Sequence, residues 1–441
     1  MKRVLAFAPW YAACLGIGLT LWLFYPGFMS WDSAYQWWQV RHGVFDPAHP
    51  VIMVMLWRFT EMILPGPGGY FVFQTCLYWL SLTLFVSALN LKPWLKILIV
   101  LCLGFWPPLW GLSLHLWKDI GAMSFFCLAA AFLAYDYRNA HRVWRLSALL
   151  CVVLACAYRH NALSAGAIFL VYLVYTEVSL NSWKPSSKKK IMALGSLLLV
   201  ATVQLILMLP NYLLKLKDEP LWPLQAQWDI AAVSVRENQL LFPPGWTSPK
   251  LTMELLKQDF DPSVNVPVFK SSLIYINPYY PMSEQDFSVL KKAWWRLPLD
   301  HPKAYLQHRW YVSKNLLGWQ DVAHPNYVFA PGIVSYKDNP EIAAQSAALT
   351  NSVQARLLSL VETPLFFGWC YLLLASVAFV WAWAKRNSLA LMLSASALFY
   401  VLPLVILAPS CDFRYLAWML QGSLLGLLAI LALPADKHFK R

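Results

Sequence analysis

Long apolar runs separated by short basic clusters are the feature that most constrains this chain. Several of these runs approach or exceed the ~20 residues that an α-helix needs to cross a hydrocarbon core. Of the 441 residues, 59% are hydrophobic and only 13% are charged, whereas soluble domains carry about 25% charged residues. The 24 Trp and 21 Tyr residues supply the amphipathic rings that gather at membrane–water interfaces. The sequence therefore predicts an all-α integral membrane protein.

The apolar runs predict about ten transmembrane helices. These lie near residues 4–25, 70–91, 97–114, 119–136, 144–158, 162–178, 191–212, 358–383, 388–409 and 413–433. A further apolar run at 51–64 is short, contains Arg58 and Glu61, and ends at a Pro- and Gly-rich break. We expect a re-entrant or interfacial helix there, because the run is too short to span a bilayer. The long polar stretch 213–356 predicts a mostly helical external insert.

This pattern divides the chain into three parts. Residues 1–212 form an N-terminal membrane domain that includes a first external loop at 26–69. Residues 213–356 form the insert, and residues 357–441 form the C-terminal membrane helices. The eight cysteines lie in or beside apolar runs without metal-type spacing, so we expect neither a disulfide framework nor a metal site.

The distribution of basic residues predicts the orientation. With the N-terminus inside, the cytoplasmic segments hold Lys2, Arg3, Lys92, Lys96, Arg138, Arg142, Arg145, Lys184, Lys188, Lys189, Lys190, Lys385, Arg386, Lys437, Lys440 and Arg441. The short external segments hold only Arg41, Arg58, Lys118, Arg159 and Arg414. This bias follows the positive-inside rule and places both termini in the cytoplasm. The net charge of +13 thus serves topology, and we expect no nucleic-acid partner.

The first external loop contains the strongest candidate for a reactive group, Asp32. This residue follows the first predicted span closely and lies among Trp31, Trp37 and Trp38. We expect partial desolvation to raise the pKa of its carboxyl, which suits a general base acting on a hydroxyl. The alternative is an aspartate that caps a helix beginning near Ser33, and the two roles are compatible.

An Asp-Pro-Ala-His-Pro turn in the same loop carries Asp46 and His49. The prolines fix the backbone on either side of the imidazole. A structural role in the turn is favoured for Asp46. For His49 we expect a substrate hydrogen bond or a proton relay.

The other external turns also place ionisable residues at the membrane boundary. They carry Lys118 and Asp119, Arg159 and His160, and Asp412 and Arg414. Such residues are costly there unless they are paired or bind something. Taken singly, the aspartates would stabilise helix N-termini and Lys118 and Arg414 would extend to the interface. Taken together, Lys118, Arg159 and Arg414 predict a clamp for a phosphate at headgroup depth.

An ordered set of short motifs resembles the GT-C superfamily of membrane glycosyltransferases, which use polyprenyl-phosphate sugars on the external face. The motifs are Pro-Gly-Phe-Met-Ser-Trp-Asp-Ser at 26–33, His49-Pro50, Leu116-Trp117-Lys118-Asp119, Arg159-His160-Asn161 and Asp412-Phe413-Arg414-Tyr415. In that superfamily an acidic residue of the first external loop is the catalytic base, and Asp32 occupies the matching place. Many members have an adjacent acidic pair there, whereas Ser33 follows Asp32 in this chain, so no metal or other cofactor is carried over.

The resemblance implies a complete functional hypothesis. The donor is a polyprenyl-phosphate sugar, and the acceptor is a glycan or glycolipid such as O-antigen or lipopolysaccharide. The reaction proceeds with inversion, on the periplasmic face of a bacterial inner membrane. The catalytic residues are Asp32 and His49. The substrate-binding residues are Trp31, Asp46, Lys118, Asp119, Arg159, His160, Asp412 and Arg414.

Three alternatives remain open at this stage. A flippase or transporter of lipid-linked glycans would need polar residues at mid-bilayer depth, and charges within the predicted spans are nearly absent. A glycan polymerase or ligase would share the lipid-linked donor, and an assay must separate it from a transferase. A membrane scaffold with a docking insert would leave the aligned external charges unexplained.

Overall fold

The structure, a computed structural model, describes residues 7–46, 49–181, 185–216, 221–275, 283–319 and 331–436, and within these ranges it contains helices and no β-strand. The first half of the chain forms α1 (Ala8–Phe24), α2 (Trp31–His42), α3 (Val51–Ile63), α4 (Pro67–Ala88), α5 (Pro93–Gly104), α6 (Pro107–Ser113), α7 (Lys118–Arg138), α8 (Arg142–Tyr158), α9 (Leu163–Leu180) and α10 (Pro185–Leu213). The second half forms α11 (Trp222–Glu237), α12 (Met253–Asp259), α13 (Val266–Lys270), α14 (Glu284–Asp300), α15 (Pro302–Leu316), α16 (Ala348–Ser359), α17 (Gly368–Lys385), α18 (Ser388–Leu407) and α19 (Ala417–Ala432).

Helices of membrane-spanning length dominate the described chain. By length and composition, seven segments qualify: Pro67–Ala88, Lys118–Arg138, His160–Leu180, Ser187–Leu213, Gly368–Lys385, Ser388–Leu407 and Phe413–Ala432. The pair α5 and α6 qualifies jointly but is bent by 62°, and counting it as one span gives eight. The all-helical membrane class expected from the sequence is therefore confirmed at this level.

The remaining predicted spans correspond to shorter helices. The run at 4–25 forms α1 and the run at 144–158 forms α8, each with 17 residues in the described part of the chain. The total of about ten spans thus stays a prediction. The run at 51–64 forms α3, whose 13 residues rise about 20 Å and fall short of a bilayer crossing. Its interfacial or re-entrant placement also stays a prediction.

The chain divides into two compact units. The first comprises Met1–Leu216, Ala323–Leu402 and Phe413–Arg441, and the second comprises Lys217–Val322 and Pro403–Asp412. The second unit is smaller than the predicted insert 213–356, because the later part of that stretch, including α16, belongs to the first unit. It also includes Pro403–Asp412, of which hydropathy alone assigns residues 403–409 to a membrane helix.

Close helix packing fixes one end of the first unit. Helix α7 packs against both α4 and α8. Gly121, in the first turn of α7, allows this approach, since a Cβ at that position would lie 2.3 Å from the ring of Tyr158 at the end of α8. The Tyr158 hydroxyl accepts a hydrogen bond from Tyr70 of α4 (3.0 Å). The start of α7 and the end of α8, which carry several candidate site residues, are therefore held rigidly together.

The second unit has a core of its own. Helices α11, α14 and α15 pack around buried apolar side chains such as Trp246 and Leu297. A fully buried carboxylate, Asp229, accepts hydrogen bonds from Trp294 (2.7 Å) and from Arg309. Arg309 also donates to the carbonyl of Ala408 (3.0 Å). This buried network explains why the segment after Leu402 folds with the second unit.

Candidate active site

Backbone pairing holds the loop between α1 and α2 between two other segments of the first unit. The N–H of Phe28 donates to the carbonyl of Leu114 (2.8 Å), and its carbonyl accepts from the N–H of Leu116 (3.0 Å). Met29 pairs in the same way with the segment 332–334, through two N···O contacts of 2.9 Å. The loop is thus anchored immediately before Asp32.

Two serine side chains position the start of α2 against the start of α7. The hydroxyl of Ser33 donates to the carbonyl of Leu116 (2.7 Å), and the indole of Trp117 donates to the hydroxyl of Ser30 (2.9 Å). The N-cap residue of α2 is Ser30, so Asp32 lies in the first turn rather than at the cap. The capping role considered for Asp32 is therefore wrong, although a carboxylate there still favours the helix dipole.

Asp32 forms an ion pair with Arg414. The Nη2 atom of Arg414 lies 2.9 Å from Oδ2 of Asp32, with 14% and 31% of the two side chains exposed. The guanidinium of Arg414 also lies over the rings of Trp117 (5.0 Å) and Tyr415 (5.5 Å). These aromatic contacts hold the planar cation in place and leave its charge directed at the carboxylate.

The pKa of Asp32 differs from the sequence-based expectation. Desolvation by the surrounding protein raises this pKa, but the charge of Arg414, with those of Lys118 and of His49 in its protonated form, outweighs it. The pKa of the carboxyl is therefore held well below its ordinary value. The expectation of a raised pKa is wrong, because it considered the neighbouring tryptophans and not a cation supplied from another part of the chain.

A second ion pair joins Arg159 to Asp119. Asp119 is fully buried in the first turn of α7, and Arg159 is 8% exposed at the end of α8. Arg159 also donates from Nε to the side-chain oxygen of Asn161 (2.6 Å) and lies over the ring of Tyr415 (4.4 Å). Because burying an unpaired carboxylate is very costly, this pair ties the α8–α9 turn to α7. The structure thus engages Arg159 with protein partners.

Lys118 differs from both arginines. Its ammonium forms no ion pair or side-chain hydrogen bond with the residues that the structure describes. It nevertheless lies close enough to Asp32, Arg159 and Arg414 for their charges to interact. The predicted set of three cations does converge, but only Lys118 lacks a carboxylate partner. His160, exposed at the start of the turn 160–162, is also within electrostatic range of Lys118.

His49 and Asp46 lie next to this cluster. The N–H of His49 donates to the carbonyl of Asp46 (3.1 Å), while Pro47 and Ala48 of the predicted turn lie outside the described residues. The hydroxyl of Tyr35 donates to the Asp46 carboxylate, and its ring contacts the His49 imidazole edge-on (5.2 Å). Burial, with the nearby charge of Lys118, lowers the pKa of His49 to about 4. The imidazole is therefore neutral at pH 7.

The two remaining candidate residues are Asp412 and Trp31. Asp412 is the last residue of the second unit. Trp31 is 52% exposed and stacks on Tyr35 (5.6 Å) at the outer side of α2. Sequence analysis missed Tyr35, although its spacing from Trp31 already indicates a shared helix face. It also missed Tyr415, whose ring lies under both arginines.

Among the described residues, no group of three or more His, Cys, Asp or Glu side chains is arranged to hold a metal ion. The cluster therefore comprises one carboxylate with a cationic partner, one cation without a carboxylate partner, a neutral imidazole and a buried ion pair that supports them. Comparison of the chain with protein-family models, with curated proteins and with solved structures gives no match.

Proposed function

We propose that this chain is a membrane glycosyltransferase that moves a sugar from a polyprenyl-phosphate donor to an extracytoplasmic glycan or glycolipid, with inversion. The observation that carries the proposal is the cluster of Asp32, Arg414 and Lys118 in a chain rich in apolar helices. A carboxylate beside two cations, one without a carboxylate partner, suits a hydroxyl nucleophile and a phosphate leaving group. The setting is the periplasmic face of a bacterial inner membrane, and O-antigen or lipopolysaccharide is the acceptor class.

The phosphate of the donor binds to Lys118 and Arg414. Lys118 has donors to offer without breaking an ion pair, and Arg414 presents several N–H groups, of which Nη2 contacts Asp32. Charge-assisted hydrogen bonds to phosphate are among the strongest that proteins form. Arg159 is held by Asp119 and supports the site without binding the phosphate, which leaves Lys118 and Arg414 as the phosphate ligands. These cations stabilise the charge that develops on the departing polyprenyl phosphate.

Asp32 accepts the proton of the acceptor hydroxyl. Its low pKa ensures that the carboxyl is ionised at neutral pH. When a phosphate anion binds to Arg414 and Lys118, it offsets their charges, and the proton affinity of Asp32 rises at the moment of reaction. The acceptor oxygen bonds to the anomeric carbon, the bond from that carbon to the phosphate oxygen breaks, and the proton moves to Asp32. One displacement of this kind inverts the anomeric centre.

His49, which is neutral, and Asp46 bind the acceptor hydroxyl and the sugar beside Asp32. A neutral imidazole both donates and accepts hydrogen bonds, so His49 orients the hydroxyl near Asp32 without adding charge. Asp46, oriented by Tyr35, acts on the same side as a hydrogen-bond acceptor for the sugar.

Sugar transfer by purified protein in proteoliposomes tests the proposal. Radiolabelled polyprenyl-phosphate sugars are offered with membrane glycans, and wild type is compared with Asp32→Asn. Loss of a general base lowers the rate by about 10²- to 10⁴-fold. Asp300→Asn is the matched control, because Asp300 forms an exposed i,i+4 ion pair with Arg296 in the second unit. Full transfer by correctly inserted Asp32→Asn would exclude Asp32 as the base.

A further inference from the structure

Helix α2 carries a ladder of aromatic rings on one face. The rings of Trp31, Tyr35 and Trp38 follow one another at centroid distances of 5.6 and 6.0 Å, with interplanar angles of 27° and 12°. Their spacing of four and three residues is that of one helix face. Tyr336 packs edge-on against all three, at 5.3, 5.2 and 6.2 Å. We call Trp31, Tyr35, Trp38 and Tyr336 the aromatic ladder.

Polar bonds fix the ladder in place. The Trp38 indole donates to the Asp338 carboxylate (2.8 Å), and Arg41 donates to the Asp338 carbonyl (2.8 Å). The side-chain amide of Asn339 donates to the carbonyl of Ala34 inside α2 (2.8 Å). The segment that supplies Tyr336 is thereby held on α2, so the ring arrangement is preorganised.

The ladder presents ring surface together with exposed polar groups. Trp31 is 52% exposed, and the Asp338 and His42 side chains are 59% and 35% exposed. Lys337 lies over the ring of Trp38 at 3.9 Å, so the accessible ring surface is concentrated at Trp31. Aromatic surface bordered by a few charged hydrogen-bonding groups is the lining expected of a ligand site.

The chemistry of this surface favours a saccharide over lipid. The rings of aromatic belts lie singly at the level of the lipid headgroups, whereas these rings stack along one another beside a carboxylate and a histidine. The C–H faces of a sugar ring pack on an aromatic ring, and its hydroxyls bond to charged side chains.

We infer that the exposed end of the aromatic ladder, at Trp31 beside Asp32, is a binding subsite for the acceptor saccharide. The link to catalysis rests on the proposed function, because Asp32 neighbours Trp31 in the first turn of the same helix. Saccharide binding itself is measurable without turnover.

Saturation-transfer NMR with the full-length protein in nanodiscs tests the inference. The probe is O-polysaccharide released from lipopolysaccharide by mild acid, with maltohexaose as a second saccharide. Wild type and Asp32→Asn should both transfer saturation to sugar ring protons. Trp31→Ala should weaken binding about tenfold or more, and Trp31→Phe should restore part of it. Trp94→Ala is the control, because Trp94 is 60% exposed and lies outside the ladder.

Each outcome separates this inference from the proposed function. No saturation transfer to either saccharide, or equal transfer with Trp31→Ala, overturns the saccharide subsite. A Trp31→Ala variant that extracts differently from membranes but binds saccharide normally indicates an interfacial anchor and also overturns it. Saccharide binding without sugar transfer from any donor would leave the subsite intact and contradict the glycosyltransferase. In an active enzyme, Trp31→Ala should raise the KM for acceptor and leave kcat nearly unchanged.

Discussion

Replacing Arg414 with glutamine is the perturbation whose consequences the structure specifies most fully. The substitution removes the cation that pairs with Asp32 at 2.9 Å and keeps a side chain able to donate hydrogen bonds. Two effects follow. The transition state loses a charge on the departing phosphate, and Asp32 loses the group that most lowers its pKa.

Both effects have an expected size. Loss of one preorganised donor to a developing anion costs about 10²- to 10³-fold in rate. Two unit charges about 4 Å apart interact by about 4 kcal/mol at an effective dielectric constant near 20. Solvent screening at a carboxylate that is 31% exposed reduces this to about 2 kcal/mol, or roughly 1.5 units of pKa. Because burial still raises the pKa of Asp32, the acid limb of the activity profile moves to higher pH.

The assay is initial-rate sugar transfer in proteoliposomes from pH 4 to pH 8. Wild type should stay active towards the acid end, since the pKa of Asp32 lies well below its ordinary value. Arg414→Gln should be about 10²- to 10³-fold slower throughout this range, because its Asp32 stays ionised there even after the rise in pKa. Arg296→Gln, which removes an arginine 62% exposed in a surface ion pair, is the control. An Arg414→Gln enzyme with an unchanged rate would refute the role given to this ion pair.

Three further predictions concern stability and are measured as Tm in detergent. Arg159→Met leaves Asp119 buried and unpaired, which should lower the free energy of unfolding by about 3–5 kcal/mol. Adding Asp119→Leu should restore the Tm. An unchanged Tm in the single variant would contradict the pairing. The pKa of His49 is about 4 against 6.5 for the free group, so the folded state binds fewer protons between these values. The contribution of neutral His49 to the free energy of unfolding is fully present above about pH 6.5 and falls by up to about 3 kcal/mol as the pH drops towards 4. His49→Gln should lose less stability in that window. An equal loss would contradict the lowered pKa of His49. Gly121→Ala places a Cβ 2.3 Å from an aromatic ring, so it should lower the free energy of unfolding by about 1–3 kcal/mol. Gly18→Ala is the control, because nothing lies within 4 Å of a Cβ there, and it should not lower the Tm. Equal effects of the two substitutions would refute the packing argument.

Hydropathy predicted where helices form but not how each one runs. The run at 97–114 has the composition of one span, yet the chain bends by 62° between α5 and α6. The signal was present in Pro107, because the residue before a proline is disfavoured in the α conformation. The boundary of the second unit had no such signal. Pro403–Asp412 joins it partly through a hydrogen bond from Arg309, a contact that local composition does not encode.

The sequence predicted which residues form the candidate site better than it predicted the contacts between them. The predicted topology placed Asp32, Lys118 and Arg414 on the same side of the membrane, and the structure brings these three residues together. Charge alone does not decide which arginine pairs with which aspartate, so the pairing of Arg159 with Asp119 emerged only from the tertiary arrangement. The sign of the Asp32 pKa shift depended on the pairing of Asp32 with Arg414.

The fate of a doubly labelled donor, carrying one label on the sugar and another on the polyprenyl chain, tests the central claim most directly. Wild-type protein in proteoliposomes should move the sugar label to the glycan and release the lipid label as polyprenyl phosphate in equal amounts. Asp32→Asn and Lys118→Gln should each suppress both products. If both labels instead stay on one molecule that crosses the membrane intact, the chain is a flippase for lipid-linked sugars, and the glycosyltransferase account is contradicted.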